Sequence, residues 1–197
     1  GGSLENRNRF AVEIARAVRA VWPREKALGF RINSTDWVEG GSTLDDAVEL
    51  ACILEREGFD YVVMSAGNTA AGIKLPPATP GHQVPFTEAV KARSNITAMA
   101  VGMVLHPHMA EEIVASGKAD FVAIARAVLD NPHWGLHAAA ALGVDVPYPP
   151  QYLRARPNNW LGYSHVHPDA RPPESHLQID RPRGVSSWDR PPMKASA

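Results

Sequence analysis

Two arginines and a glycine give this chain the residue types of an anion-binding site. Arg31 lies inside an otherwise apolar segment, Leu28–Ile32, where an unpaired charge is costly and requires an anionic or electron-rich partner. Gly102 and the pair Ala125 and Arg126 each follow a short apolar segment. A glycine lets the backbone approach a ligand closely, and an arginine binds a phosphate with two donors. These residues predict a phosphate-bearing ligand.

Each of these residues also has a structural interpretation. From spacing alone, a salt bridge to a neighbouring strand explains Arg31 as well as a ligand does. Gly102 is compatible with an ordinary turn, and Arg126 with a surface position. The position of Gly102, Ala125 and Arg126 behind two successive strands favours phosphate, because the loops after the last two strands of barrels frequently bind it.

The histidines and the single cysteine indicate no further chemistry. His106 and His108 lie two residues apart, as do His165 and His167, but neither pair has an evident third metal ligand nearby. Cys52 falls among the core positions of a helix and is expected to be inert. One cysteine excludes an internal disulfide and argues against a cysteine-based zinc site.

Alternating strand and helix patterns must position these residues. Strands are predicted at Leu28–Asn33, Tyr61–Ser65, Ile96–Val101 and Asp120–Ala125. Helices are predicted over Leu4–Val21, between Thr43 and Gly58, and over Pro85–Arg93, Pro107–Ser116 and His133–Leu142. Ser3 and Thr43 are the expected N-caps of the first two helices. Phe10, Ile14 and Val18 recur every four residues and predict a buried stripe on the first helix.

Strands that are apolar on both faces and separated by helices indicate an α/β fold with a parallel sheet, either doubly wound or a TIM-type barrel. No Gly-x-Gly-x-x-Gly run supports a dinucleotide-binding unit. Residues 1–147 hold about four βα units, half of the eight in a (β/α)8 barrel. We expect two open sheet edges and an open inner face that carries Ile32, Val63, Met64 and Met99.

The remainder of the chain differs in character. Tyr148–Pro157 is rich in proline and arginine and is predicted to be extended, within a C-terminal segment over residues 148–163. Residues 164–197 contain many Pro, Arg, Ser and Asp residues with little apolar periodicity. This composition predicts an irregular tail that becomes ordered only if it docks on a partner.

Composition limits the function classes. The chain has 197 residues and a formal net charge of −1, so it has neither the basic footprint of a nucleic-acid-binding protein nor a polybasic membrane patch. No apolar run approaches the roughly 20 residues that span a bilayer, and no signal peptide is visible. We expect a cytoplasmic protein. Because the chain begins with Gly1 rather than Met, we also expect it to be processed, engineered or part of something longer.

As an ordered set, the motifs resemble the C-terminal half of the barrel of old yellow enzymes, most closely their thermophilic-like bacterial class. The matching motifs are Gly1-Gly2-Ser3-Leu4-Glu5-Asn6-Arg7 with Arg9-Phe10, Arg31-Ile32-Asn33-Ser34, Ala100-Val101-Gly102-Met103, Ala119-Asp120, Ala125-Arg126 with Asp130 and Pro132, and Pro150-Gln151-Tyr152 with Arg154. The resemblance covers residues 1 to about 160 and implies FMN as cofactor, with NADH or NADPH as electron donor.

The resemblance also implies roles for individual residues. Arg31 contacts the pyrimidine edge of the flavin, where a positive charge favours the reduced, anionic cofactor. Gly102, Ala125 and Arg126 bind the FMN phosphate, although the family usually has glycine where Ala125 stands. In this class, an arginine at the position of Arg154 reaches a neighbouring subunit's active site, and Tyr152 helps to shape that site.

The family's substrate-anchoring pair and its tyrosine proton donor belong to the N-terminal half, so the resemblance places no catalytic residue in this chain. We expect it to act as the FMN-binding part of an oxidoreductase that reduces activated C=C bonds of enones or enoates, partnered by a complementary N-terminal half-barrel or a second copy of itself. Two alternatives stay open. One is the oxidoreductase half of a flavoenzyme acting on aromatic acyl thioesters, and the other is a non-catalytic assembly module.

Overall fold

A four-stranded parallel sheet in the order β1-β2-β3-β4 organises the chain. The computed structural model describes residues 1–67 and 73–170. The strands are β1 Gly29–Asn33, β2 Tyr61–Ser65, β3 Thr97–Ala100 and β4 Phe121–Val122. The helices are α1 Leu4–Val21, α2 Leu44–Arg56, α3 Val84–Lys91, α4 Pro107–Ala115, α5 Arg126–Asp130, α6 Trp134–Ala141 and α7 Tyr163–Val166, with a 3₁₀ helix at Pro150–Ala155 between α6 and α7. The predicted parallel α/β architecture is confirmed.

The first two helices begin where their caps predict. The Ser3 hydroxyl accepts a hydrogen bond from the Asn6 backbone N–H, which satisfies one of the free donors of the first turn. At the start of α2, Thr43 and Asp46 form a reciprocal capping box. Local sequence therefore sets both boundaries.

The strands alternate between a buried face and an open face. Ile32, Val62, Met64 and Ala98 point toward the helices and form one core with α2 and α3. A second, smaller core joins Ala100 of β3 to α4. Among the described residues, the helices pack against this face, and both cores lie on this outer side of the sheet.

The opposite face forms a row across all four strands. The register aligns Arg31 with Val63, Val63 with Met99, and Met99 with Phe121. Val63 and Met99 are half-buried and Arg31 is exposed, while Phe121 is 56% exposed. This row is the inner face of a partial barrel.

Two predictions about burial are wrong. Ile32 and Met64 belong to the outer core rather than the inner face. The strand β2 is apolar on each side, so its pattern does not reveal which side carries the helices. In β1, Ile32 lies on the side opposite to the polar Arg31 and Asn33, and its burial follows that alternation. Phe10, Ile14 and Val18 are not buried, and Phe10 is 74% exposed. Ile14 and Val18 are 44% and 37% exposed, so the described residues cover this stripe of α1 only in part.

The C-terminal segment also departs from the prediction. Residues 150–155, expected to be extended, form a 3₁₀ helix that begins at Pro150, since the fixed φ of proline suits a first helical position. The tail predicted to be irregular from residue 164 begins inside α7. Residues 171–197 of that tail lie outside the described residues.

Candidate functional site

A cavity of about 640 Å³ opens at the carboxyl ends of the four strands. Arg31 comes from β1, Gly102 follows β3, and Ala125 and Arg126 follow β4, and all four line this cavity. In parallel α/β folds, ligands bind at the carboxyl ends of the strands. The structure thus brings together the four residues for which the sequence predicts cofactor contacts, and their roles stay predictions.

Arg31 presents its charge to the inner face of the sheet. Its Nη2 donates a hydrogen bond of 2.9 Å to the Ser65 hydroxyl at the end of β2. Within residues 1–67 and 73–170, no carboxylate forms an ion pair with it. The salt-bridge interpretation of Arg31 therefore has no partner in the described part of the chain, and the guanidinium keeps donors for a ligand.

The loop after β3 has two consecutive residues in the left-handed region. Gly102 has φ +105° and Met103 has φ +54°. For a residue with a side chain this region costs about 1–2 kcal/mol. Such strain concentrates at binding and catalytic sites. The strained conformation of Met103 therefore marks this loop as a candidate binding site.

Gly102 is also confined from one side. A Cβ built on it would lie 3.0 Å from both Cβ and Cγ of Gln83, which is tighter than ordinary contact. Gly81 N–H donates a 3.0 Å hydrogen bond to the Gly102 carbonyl. A glycine is therefore required at 102 both by its φ and by the close approach of the neighbouring loop.

Ala125 and Arg126 form the start of α5. The Ala125 carbonyl accepts hydrogen bonds from the N–H groups of Val128 and Leu129 and so closes the first turn. Its φ of −116° is open to any residue, so alanine fits where the family usually has glycine. The Arg126 side chain is exposed at the cavity, as a phosphate ligand must be.

Tyr152 and Arg154 are placed elsewhere. Neither is among the described residues that line the large cavity. The Tyr152 ring packs edge-on against His133 at a centroid distance of 5.2 Å, and Arg154 is exposed on the 3₁₀ helix. Their predicted role at a neighbouring subunit remains a prediction.

A cluster of rings holds this C-terminal segment to α6. The His137 ring lies 4.1 Å from that of His167 and 6.3 Å from that of His133, and Tyr163 lies 4.5 Å from His167. Burial, and then the neighbouring His167 and His133, lower the pKa of His137. Burial, and then Tyr148, raise the pKa of Tyr163 to about 12.

The sequence pattern did not predict this ring cluster. It also did not predict that Ser65, Gln83 and Met103 line the cavity. The i, i+4 spacing of His133 and His137 is a signal for two neighbouring rings on a helix. No comparable signal links His137 to His167, because tertiary packing brings them together.

Among the described residues, no group of three or more His, Cys, Asp or Glu side chains could hold a metal ion. No described helix combines the length and apolarity needed to cross a membrane.

Residues 1–143 match the NADH:flavin oxidoreductase / NADH oxidase family. The chain belongs to this family. Its members are oxidoreductases that bind FMN and take electrons from NADH or NADPH. The resemblance inferred from the sequence motifs is confirmed, and so is FMN as the cofactor of the family.

Curated relatives in this flavin oxidoreductase family include two NADPH dehydrogenases. That of Halalkalibacterium halodurans is 40% identical over 162 residues, which cover 82% of this chain and 45% of that protein. That of Geobacillus sp. (strain WCH70) is 41% identical over 155 residues, which cover 78% of this chain and 44% of that protein. The chain thus spans less than half the length of these relatives.

A solved structure of 2-naphthoyl-CoA reductase in complex with 2-naphthoyl-CoA is also similar. The TM-score is 0.62 at 26% identity, over 86% of this chain and 26% of the other. The fold of this flavin oxidoreductase chain is therefore that of a TIM-type barrel, of which the chain forms only a part.

The cavity fits FMN in size and chemistry. A volume of about 640 Å³ lies within the usual range of ligand pockets, roughly 300–1,000 Å³. Gly102 brings backbone without a side chain to the cavity wall, where a phosphate could approach it, and Arg126 supplies charge in the same cavity. Arg31, on the strand side of the same cavity, suits an electron-rich ring edge.

Proposed function

We propose that this chain is the FMN-binding part of an NAD(P)H-dependent enzyme that reduces activated C=C bonds. The observation that carries the proposal is the convergence of Arg31, Gly102, Ala125 and Arg126 on one cavity at the strand ends. Bound FMN supplies hydride chemistry, and the protein supplies binding, orientation and charge. Enones and enoates are the substrates that this chemistry suits.

The chain's own residues have distinct tasks in this proposal. Arg126 and the backbone around Gly102 bind the phosphate, with Ala125 contributing its backbone. Arg31 places a positive charge at the ring end of the cavity, where negative charge accumulates on reduction. Its hydrogen bond to Ser65 holds the guanidinium in place on the open face of the sheet. A guanidinium held by a protein hydroxyl needs less reorganisation during the reaction than one held by water.

A complementary half-barrel is the partner that the exposed surfaces support. In the described structure, Phe121 on the inner face and Phe10 on α1 are mostly exposed, and Ile14 and Val18 of the same stripe are partly exposed. At about 25 cal/mol per Å², several hundred Å² of apolar surface corresponds to on the order of 10 kcal/mol. Domains have only about 5–15 kcal/mol of net stability. We therefore propose that an N-terminal half-barrel, or a second copy, covers these faces, and that the assembly is cytoplasmic, as its use of NAD(P)H suits.

A second candidate function has one observation in its favour. The similar structure of 2-naphthoyl-CoA reductase contains an aromatic acyl thioester, and its sequence identity to this chain is 26%. An oxidoreductase half acting on aromatic acyl thioesters therefore remains the alternative. Turnover of a cyclohexenone compared with an aryl-CoA by the completed barrel distinguishes the two substrate classes.

Titration of the chain with FMN, followed by flavin fluorescence, tests the proposal. Saturable binding is expected, whereas no binding by the chain or by its assembly would leave a non-catalytic assembly module as the better account. Sedimentation and an enone assay test the partner. A well-folded monomer that reduces an enone with added FMN would refute the need for a second half.

A further inference from the structure

Gln83 is a buried polar residue beside the cavity that the proposed function does not use. It occupies the N-cap position of α3, and the residue is only 8% exposed. Side chains at this position usually accept hydrogen bonds from the first backbone N–H groups of the helix. Gln83 makes no such bond. Its side chain turns instead toward the ends of two strands.

The amide of Gln83 connects those strand ends. Its Nε2 donates a 2.9 Å hydrogen bond to the carbonyl of Ala66, the residue after β2. Its Cβ and Cγ lie against Gly102 after β3, at 3.0 Å from the point where a Cβ of Gly102 would be. One side chain therefore holds both strand-end loops that form the wall of the cavity.

The residue type matches this task. A glutamine reaches the Ala66 carbonyl with a donor and presents only methylenes to Gly102. A glutamate at 83 would set a negative charge against the Ala66 carbonyl, and a leucine would remove the donor that this carbonyl accepts from. The left-handed conformation of Met103, directly after Gly102, needs such external support, because strained backbone persists only where its surroundings determine it.

We propose that Gln83 is a positioning residue that fixes the Gly102 peptide for the phosphate end of the cofactor. The proposal rests on the proposed FMN function. It assigns Gln83 no contact with the reacting atoms. Because it acts on the phosphate end alone, it predicts a selective loss of affinity for FMN over riboflavin, which has the same ring system without the phosphate.

Gln83→Asn and Gln83→Met are the informative variants in the full 197-residue chain. Asparagine keeps an amide that is too short to reach Ala66 and is itself a favourable N-cap, so the variant should keep its thermal stability. Methionine keeps the length and loses the donor. Thr87→Val is the matched control, because Thr87 is equally buried in α3 but donates to the Val84 carbonyl, away from the cavity.

Dissociation constants for FMN and riboflavin, with the ¹⁵N–¹H resonance of Gly102, give the answer. Both Gln83 variants should weaken FMN about fivefold to tenfold and riboflavin less than twofold, as loss of one hydrogen bond implies, with Thr87→Val unchanged. If the Gln83 variants weaken the binding of FMN and riboflavin equally, or weaken neither, the positioning role is overturned, whereas the proposal that the parent chain binds FMN still stands. In the parent chain, the Gly102 resonance should shift with FMN and not with riboflavin, and a Gly102 resonance that FMN leaves unchanged would also overturn the positioning role. A parent chain that binds neither ligand would overturn the proposed function itself.

Discussion

The two faces of the sheet differ more than any other two regions of the molecule. On the outer face, Val62, Met64 and Ala98 are fully buried under α2 and α3. On the inner face, Arg31 and Phe121 of the same sheet are exposed. The outer face has completed its hydrophobic core within this chain, whereas the inner face has the composition of a surface that receives a ligand and a covering structure.

This difference separates stability from function. Parallel sheets are normally covered on both faces, so the open face of the described sheet is where we propose that the cofactor and a partner bind. In this chain the cavity lies at the carboxyl ends of the strands, and Arg31 on the open face lines it. Substitutions on the two faces should therefore affect different measurements, which allows the contrast to be tested residue by residue.

The largest effect is expected from adjacent residues of β2. Met64→Ala removes a fully buried side chain and should lower the free energy of unfolding by about 2–5 kcal/mol. Val63→Ala, one residue earlier on the open face, should cost about 1 kcal/mol or less. Urea denaturation of both variants measures the contrast. Equal losses would mean that the inner face is as well packed as the outer one.

Arg126→Ala should weaken FMN binding by about 1.5–3 kcal/mol, the range for a hydrogen bond to a charged group. Arg56→Ala is the control, since Arg56 is an exposed arginine on α2 that pairs with Glu49 on the helix side. Fluorescence titration at fixed salt provides the dissociation constants. Identical values for the parent and Arg126→Ala would remove Arg126 from the phosphate site.

Arg31→Met should leave the fold intact and make bound FMN harder to reduce, because the positive charge beside the ring is lost. A change of about 1.4 kcal/mol corresponds to about 30 mV for a two-electron couple, and the potential should fall by that order. Spectroelectrochemistry on the FMN-bound assembly measures it. A potential equal to or above that of the parent contradicts the assigned role.

The smallest effect concerns the ring cluster on α6. Because burial and neighbouring histidines lower the pKa of His137, the unfolded chain takes up its proton first as the pH falls. Stability should therefore decrease below about pH 6.5, the ordinary value for histidine, and show no contribution from His137 above it. Thermal midpoints between pH 8 and pH 5 should vary less in His137→Asn than in the parent. His108→Asn, an exposed histidine on α4, should retain the parent's profile.

Local signals in the sequence are sufficient for the four strands, for α1 to α4 and α6, and for the caps at Ser3 and Thr43, but they did not predict α5, the 3₁₀ helix or α7. They were also sufficient to select Arg31, Gly102, Ala125 and Arg126, which line one cavity. Charges in apolar strands and glycines at strand ends are informative because each is costly without a structural or functional reason.

Relations between distant elements could not be predicted in the same way. Periodicity identified an apolar stripe on α1 at Phe10, Ile14 and Val18, but whether a stripe is covered depends on which other elements are present. A strand such as β2 is apolar on both sides, so its pattern could not show that Met64 faces the helices. The amide of Gln83 meets Ala66 only through the folded loop.

Two aspartates make the same pair of hydrogen bonds at the start of a neighbouring strand of the sheet. Asp60 donates its N–H to the Leu28 carbonyl and accepts from the Leu28 N–H through Oδ2, which fixes β2 beside β1. Asp120 does the same to Ala98, which fixes β4 beside β3. Each aspartate precedes an aromatic residue and a valine, Tyr61-Val62 or Phe121-Val122.

The alignment of β1 with β2 and of β3 with β4 is therefore supported by hydrogen bonds within each βαβ unit and does not depend on closure of a barrel. Each of these two strand pairs thus carries its own register, whatever structure covers the open face of the sheet.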